Sequence, residues 1–145
     1  MTEHFTRKEL ERSEGAVRRG LPNVCPGELL PNMQLVAERL ELPRNHFALP
    51  MRVLPCYRSE EVNKAVGGSK TSAHTKALAA DVEIEGVSVL ELCKWCADNV
   101  PDYDQIIYEF GEDGWMHIGF TKGKPRKQLL TAYKENGKTK YKAGF

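Results

Sequence analysis

The sequence predicts an α+β fold, on three observations. Helix-period apolar spacing dominates the early part of the chain, alternating β-rich runs dominate the later part, and the regular strand–helix alternation of a doubly wound parallel sheet is missing. The chain has 145 residues, 41% of them hydrophobic. That is too apolar for a disordered chain and long enough for one core, so a single domain over residues 1–145 is expected. No stretch approaches the ~18 consecutive apolar residues of a membrane helix, so membrane insertion is not expected.

Thr6-Arg7-Lys8-Glu9 reads as a capping box opening a short helix that includes Leu10. Gly20, Pro22 and Pro26 then break the chain. Leu29, Met33, Val36 and Leu40 are spaced four, three and four apart, the stripe of an amphipathic helix over about 28–42. Pro43 and Asn45 read as its stop. Met51-Arg52-Val53-Leu54 reads as a strand ending at Pro55. Ser59 caps a brief helix through Val62 and Ala65, which Gly67-Gly68 terminates.

Residues 69–77 are polar and read as a loop, and Ala79 to Ile84 reads as a strand. Ser88-Val89-Leu90-Glu91 is a second capping box, followed by Leu92, Trp95 and Cys96 on a helix to about Asn99. Gln105–Phe110 and Trp115–Phe120 are β-rich around a turn at Gly111–Gly114. Asn136-Gly137, between Leu129–Tyr133 and Thr139–Tyr141, is a strong two-residue hairpin signal. The architecture expected is N-terminal helices packed on a mainly antiparallel sheet, with a C-terminal β-hairpin.

The formal charge is only +1, which argues against a general polyanion binder and leaves no nucleic-acid partner expected. The balance is uneven. Residues 121–145 carry eight Lys and Arg against Glu135 alone, leaving −6 on the rest. Such a basic end suits either an anionic surface or a solvated, lysine-rich edge hairpin. Cys25, Cys56, Cys93 and Cys96 read as buried free thiols. Cys93-Lys94-Trp95-Cys96 has redox or zinc spacing, but no second Cys-x-x-Cys completes a four-thiolate site.

His4 and His46 read as bystanders, near a terminus and between two elements. His74 lies in a polar loop feeding a strand that carries Asp81, and His117 lies inside a strand-like run. Two imidazoles and a carboxylate make a zinc set that leaves room for water, although a lone strand histidine is more often structural than a ligand.

Ser72-x-His74-x-x-Ala77-x-Ala79-x-Asp81 resembles the Ser-x-His-x-x-Gly-x-Ala-x-Asp signature of the M15-type zinc D-Ala-D-Ala peptidases, whose fold is shared with the hedgehog signalling domain. The resemblance extends through Tyr57-Arg58-Ser59, similar to the family's Gly-Tyr-Arg-Ser, and on to Asn63 and Gly67-Gly68. It returns at Asp104–Glu109 and Trp115-Met116-His117-Ile118. Covering most of the chain in order, it is similar to small phage and prophage members of endolysin type.

The resemblance implies a hedgehog/DD-peptidase-like fold with Zn²⁺ held by His74, Asp81 and His117. It implies Arg58 as the cation for a developing oxyanion or a substrate carboxylate, with Ser72 and Tyr57 as further substrate-binding residues. Some branches carry a glutamate three residues before the last histidine, where this chain has Gly114. Glu109 is the general base expected instead. A loop at 112–114 puts it opposite His117 on one face, and a one-residue slip removes it from that face. Glu112 and Asp113 are the fallbacks. Ala77 stands where the motif has glycine, which strains the loop only if φ is positive there. Cys56 adds a thiol before Tyr57-Arg58.

The function implied is hydrolysis of a D-Ala-containing or L-Ala-D-Glu bond in peptidoglycan stem peptides by a monomeric phage-type lytic enzyme. Met1–Phe5 is polar and does not resemble a secretory leader, so cytoplasmic synthesis and action on the wall after release are expected. The alternatives are a non-catalytic zinc-containing wall-binding module and a cytoplasmic D-Ala-D-Ala dipeptidase.

Overall fold

Thr6 accepts the backbone N–H of Glu9 while the Glu9 carboxylate accepts that of Thr6. This capping box starts helix α1 (Arg7–Glu11) in the computed structural model, which describes residues 1–145. A second short helix, α2 (Glu14–Arg19), follows directly and was not foreseen. Ser13 caps it by accepting from Ala16, and Gly20 ends it in the left-handed region at φ 63°.

Helix α3 runs over Leu30–Phe47, five residues past the expected stop at 42, and Pro43 lies inside it. Proline removes one backbone donor but does not force an end where its ring packs usefully. Here Pro43 is buried and continues the apolar stripe of Met33, Val36 and Leu40, while Phe47 packs on the core beyond it. Ala48, at φ 55°, is the C-cap.

Strand β1 (Met51–Val53) and helix α4 (Glu60–Ala65) come next, the helix capped by Ser59 as expected. The polar loop at 69–77 contains a 3-10 turn at Ala73–Lys76, leading into β2 (Ala79–Ile84) and α5 (Val89–Asn99). Then follow β3 (Gln105–Glu109), β4 (Trp115–Gly119), β5 (Gln128–Glu135) and β6 (Lys138–Ala143). The Asn136-Gly137 turn has both residues at positive φ, 53° and 75°, as a type I′ turn demands.

The six strands form one sheet in the order β1-β2-β4-β3-β5-β6. Every pairing is antiparallel except β3 with β5. The architecture is therefore α+β, with helices on a mainly antiparallel sheet, as the sequence led us to expect. Side chains alternate across a sheet, and the inner strands divide cleanly. Even-numbered residues Ala80, Val82, Ile106, Met116 and Ile118 enter the core with α3 and α5, including Leu40, Leu92 and Cys96. Odd-numbered residues Asp81, Glu109 and His117 lie on the opposite face. No helix is long and apolar enough to cross a membrane.

The start of α5 is capped by two residues. Ser88 Oγ accepts from the Glu91 N–H at 3.1 Å. The Glu112 carboxylate, arriving from the β3–β4 turn, accepts the N–H groups of Val89 and Leu90 at 2.8 and 3.1 Å and the Tyr108 hydroxyl. Burial pushes the thiols of Cys25, Cys56 and Cys93 up, and that of Cys96 to about 12. All four cysteines are free and buried.

Two outcomes follow. Glu112→Ala removes two acceptor bonds at a helix N-terminus and should lower stability by about 1 kcal/mol, seen as a drop of a few degrees in thermal denaturation; an unchanged midpoint would show the cap to be idle. A thiol reagent at pH 8 should modify less than one cysteine in the native protein and all four in denaturant, since the thiolate is the reactive form.

Candidate metal centre

Backbone pairing delivers the site. Beyond β1 the chain continues alongside β2, where the Leu54 N–H donates to the Asp81 carbonyl at 2.7 Å and the Asp81 N–H to the Pro55 carbonyl at 2.9 Å. This brings the Cys56 carbonyl to the His74 ring, 2.8 Å from Nδ1, and the Arg58 N–H to the His74 carbonyl at 3.1 Å. On the other side of β2, Asp81 pairs directly with His117 of β4.

A carbonyl can only accept, so His74 donates from Nδ1 and turns Nε2 inward. That Nε2 lies 3.4 Å from Asp81 Oδ1, and His117 Nδ1 lies 2.9 Å from the same oxygen. One ligand atom from each of the three residues falls within 4.8 Å of the others. The His74 side chain is 4% exposed and those of Asp81 and His117 each 12%. Burial alone raises the pKa of Asp81, but the two imidazoles outweigh it and hold the carboxyl well below the usual carboxylate range.

The donor set fits a metal. His74 Nε2 and a carboxylate oxygen face each other in a buried place, an arrangement that a proton or a metal cation between them satisfies. Two nitrogens and one oxygen suit Zn²⁺ and leave a coordination position for solvent or substrate. The Cys56 carbonyl is the second-layer partner that orients the His74 ring.

The three residues lie in a cleft of about 530 Å³, whose walls include Arg58, Ser72, Glu109 and Trp115. Arg58 donates from Nη2 to Ser72 Oγ at 3.4 Å, while its Nε is buried without a partner. Burial lowers its pKa, opposed by the charges of Asp81 and Glu109. Asn23 brackets this arginine: its amide donates to the Tyr57 carbonyl at 2.9 Å and accepts from the Ser59 N–H at 2.7 Å. Nothing in the sequence marked Asn23, because the partners that bracket Arg58 are main-chain groups 34 and 36 residues away.

Tyr57 is a correction. Neighbouring side chains in an extended segment point to opposite sides, and with Arg58 directed into the cleft, Tyr57 is buried in the core at 6% exposure. It does not line the cleft.

The β3–β4 register also differs from expectation. Glu109 pairs with Trp115, and Ile107 is the residue opposite His117. The shift is two residues, so the face is preserved, and Glu109 lies diagonally across with Oε1 3.8 Å from His117 Nδ1. Burial, then the charge on Asp81, raises the pKa of Glu109 to about 7, against the opposing pull of His117, Arg58 and Trp115.

The fallback acids stay outside the site. Glu112 is engaged in capping α5, and Asp113 is exposed in the turn. A Cβ on Gly114 would sit 1.8 Å from the Glu109 carbonyl oxygen, so this turn excludes a glutamate at that position. Ala77 adopts φ 56°, the conformation in which the motif glycine is unstrained, and alanine there costs about 1 kcal/mol.

Wild-type protein should bind one zinc per chain by elemental analysis, and chelation should lower its thermal midpoint, since a ligand at a hundred times its Kd adds about 2.7 kcal/mol. Asp81→Asn and His117→Ala should each lose the metal and the response to chelator. Stoichiometric zinc in both variants would place the ion elsewhere.

The peptidase M15 family model matches residues 3–119, a span that holds His74, Asp81, His117, Arg58 and Glu109 and ends at the last residue of β4. No curated protein matches the chain. With the family model covering well over half of its length, this chain belongs to the peptidase M15 family of zinc metallopeptidases.

Proposed function

We propose that the protein hydrolyses peptide bonds in the stem peptides of bacterial peptidoglycan, at a D-Ala-containing or L-Ala-D-Glu linkage. The observation that carries this reading is the convergence of two imidazoles and a carboxylate on the floor of an open cleft, with one acid and one guanidinium beside them. His74, Asp81 and His117 would hold the zinc. When bound, zinc lowers the pKa of coordinated water toward neutrality and polarises a carbonyl.

The protein's own groups do the rest. Glu109 Oε1, beside His117, accepts a proton from the attacking water and returns it to the departing amine. A carboxylate whose pKa lies near 7 suits both steps. The Arg58 Nε is already buried and free, so that part of its fork binds a substrate carboxylate or a developing oxyanion without first shedding water. Ser72 positions that fork through its hydroxyl. On this reading the protein works at the cell wall, in the manner of a phage lytic enzyme, and the lysine-rich hairpin adds affinity for an anionic surface.

A glutamate missing from position 114 does not argue for a non-catalytic wall-binding module, because the turn leaves no space for one. The test is mass spectrometry of purified peptidoglycan and stem peptides after incubation with zinc-loaded protein. New amino termini should appear, and Glu109→Gln should keep its zinc while losing at least ~100-fold in kcat. Bound zinc with intact peptides would defeat the hydrolase reading; full activity in the variant would remove Glu109 from it and leave the metal.

A further inference from the structure

The single parallel pairing of the sheet forces a crossing. β4 ends at Gly119 beside the start of β3, yet β5 lies on the far side of β3 and runs parallel to it. Residues 120–127 must therefore pass over the beginning of β3, and they do so at Asp104. The Asp104 N–H donates to the Gly119 carbonyl at 2.8 Å, and its carbonyl accepts from the Gln128 N–H at 2.9 Å, so its backbone is fixed on both sides.

The Asp104 side chain clamps Arg126. Its carboxylate accepts the Arg126 backbone N–H at 2.9 Å, Nε at 3.2 Å from both oxygens, and Nη2 at 2.8 Å. Nη1 is left over. The next residue, Lys127, takes a left-handed φ of 52° and sends its ammonium over the Tyr103 ring, so the two neighbouring cations part. Arg126 and Asp104 line the same cleft as Arg58 and His117, although both 126 and its loop lie beyond the family match.

Distance along the strand gives the spacing. Asp104 stands three residues before Ile107, the neighbour of His117, which is about 10 Å at the rise of a β-strand, or two to three residues of extended peptide. Two guanidiniums thus border the triad. Arg58 is close and half-buried; Arg126 is more distant, with its side chain 59% exposed, and is tied along one edge to Asp104.

We propose that Arg126, oriented by Asp104, is a specificity-determining anchor for a carboxylate on the substrate, roughly two to three residues from the cleaved bond. This rests on the stem-peptide reading above and narrows it: the α-carboxylate of the γ-linked D-glutamate is an anion at that separation from a bond between terminal D-alanines. A planar fork with one edge tied and the other free suits carboxylate better than carboxamide, because the charge-assisted bond is lost when the oxygen pair becomes an amide.

The test compares L-Ala-γ-D-Glu-L-Lys-D-Ala-D-Ala with the same peptide carrying a carboxamide in place of the D-glutamate α-carboxylate. Turnover is measured with zinc-loaded wild type and Arg126→Gln, and affinity by calorimetry with each of them. Wild type should favour the free acid about tenfold, through KM rather than kcat, a figure set by a charged hydrogen bond at a half-open site. Arg126→Gln should bring the ratio close to one, and Arg126→Lys should recover part of it.

A purely structural tie between 126 and 104 would weaken both peptides alike, and that result overturns the proposal. Equal handling of the two peptides by wild type also overturns it. Discrimination in binding without any cleavage would leave the anchor standing and defeat the hydrolase reading, whereas peptides neither bound nor cut would end both.

Discussion

Asp81 occupies a place where an isolated carboxylate would be costly, and much of the architecture serves to meet that cost. Its backbone is gripped on both sides, by Leu54 and Pro55 along one edge and by the pairing with β4 along the other. Its oxygen is shared by His74 and His117, which arrive from a 3-10 turn and a strand respectively. A buried charge of this kind is tolerable only while its partners remain. Strand register, the path of residues 54–58 and the 3-10 turn at 73–76 all converge on keeping them there.

The sheet does two jobs at once through the period of two. Along β2, β3 and β4 the even-numbered residues pack under α3 and α5, while the odd-numbered ones carry the chemistry. Any displacement by one residue would exchange Asp81 and His117 for Val82 and Ile118. Displacement by two is far less damaging, which is why Glu109 remains beside His117 with Trp115 rather than His117 as its direct partner. Packing on one face thereby enforces the geometry of the other.

Local chemistry was readable in the sequence. Ser and Thr caps, the Asn136-Gly137 turn and the alternation over Ala79–Ile84 each depend on residues within a few positions of one another, and the structure has them where expected. What escaped notice depends on distant partners. Pro43 reads as a helix stop until its ring is seen to join the core stripe, and Glu112 reads as a turn acid until it meets the start of α5. Tyr57 and Arg58 share a motif, and only the path of the backbone decides which one faces the cleft. The ligand set became visible through motif resemblance rather than periodicity, since histidine in a strand has no distinctive pattern. The bracket of Asn23 around Arg58 and the meeting of Arg126 with Asp104 have no local signature at all.

His74 is braced by a main-chain oxygen, and that has a consequence for how position 56 can evolve. Every amino acid supplies the same carbonyl, so the orienting contact survives any replacement that fits the enclosed volume and leaves the backbone undisturbed. Position 56 is thus limited by volume rather than by side-chain chemistry, and the name of its residue says nothing about the grip on His74.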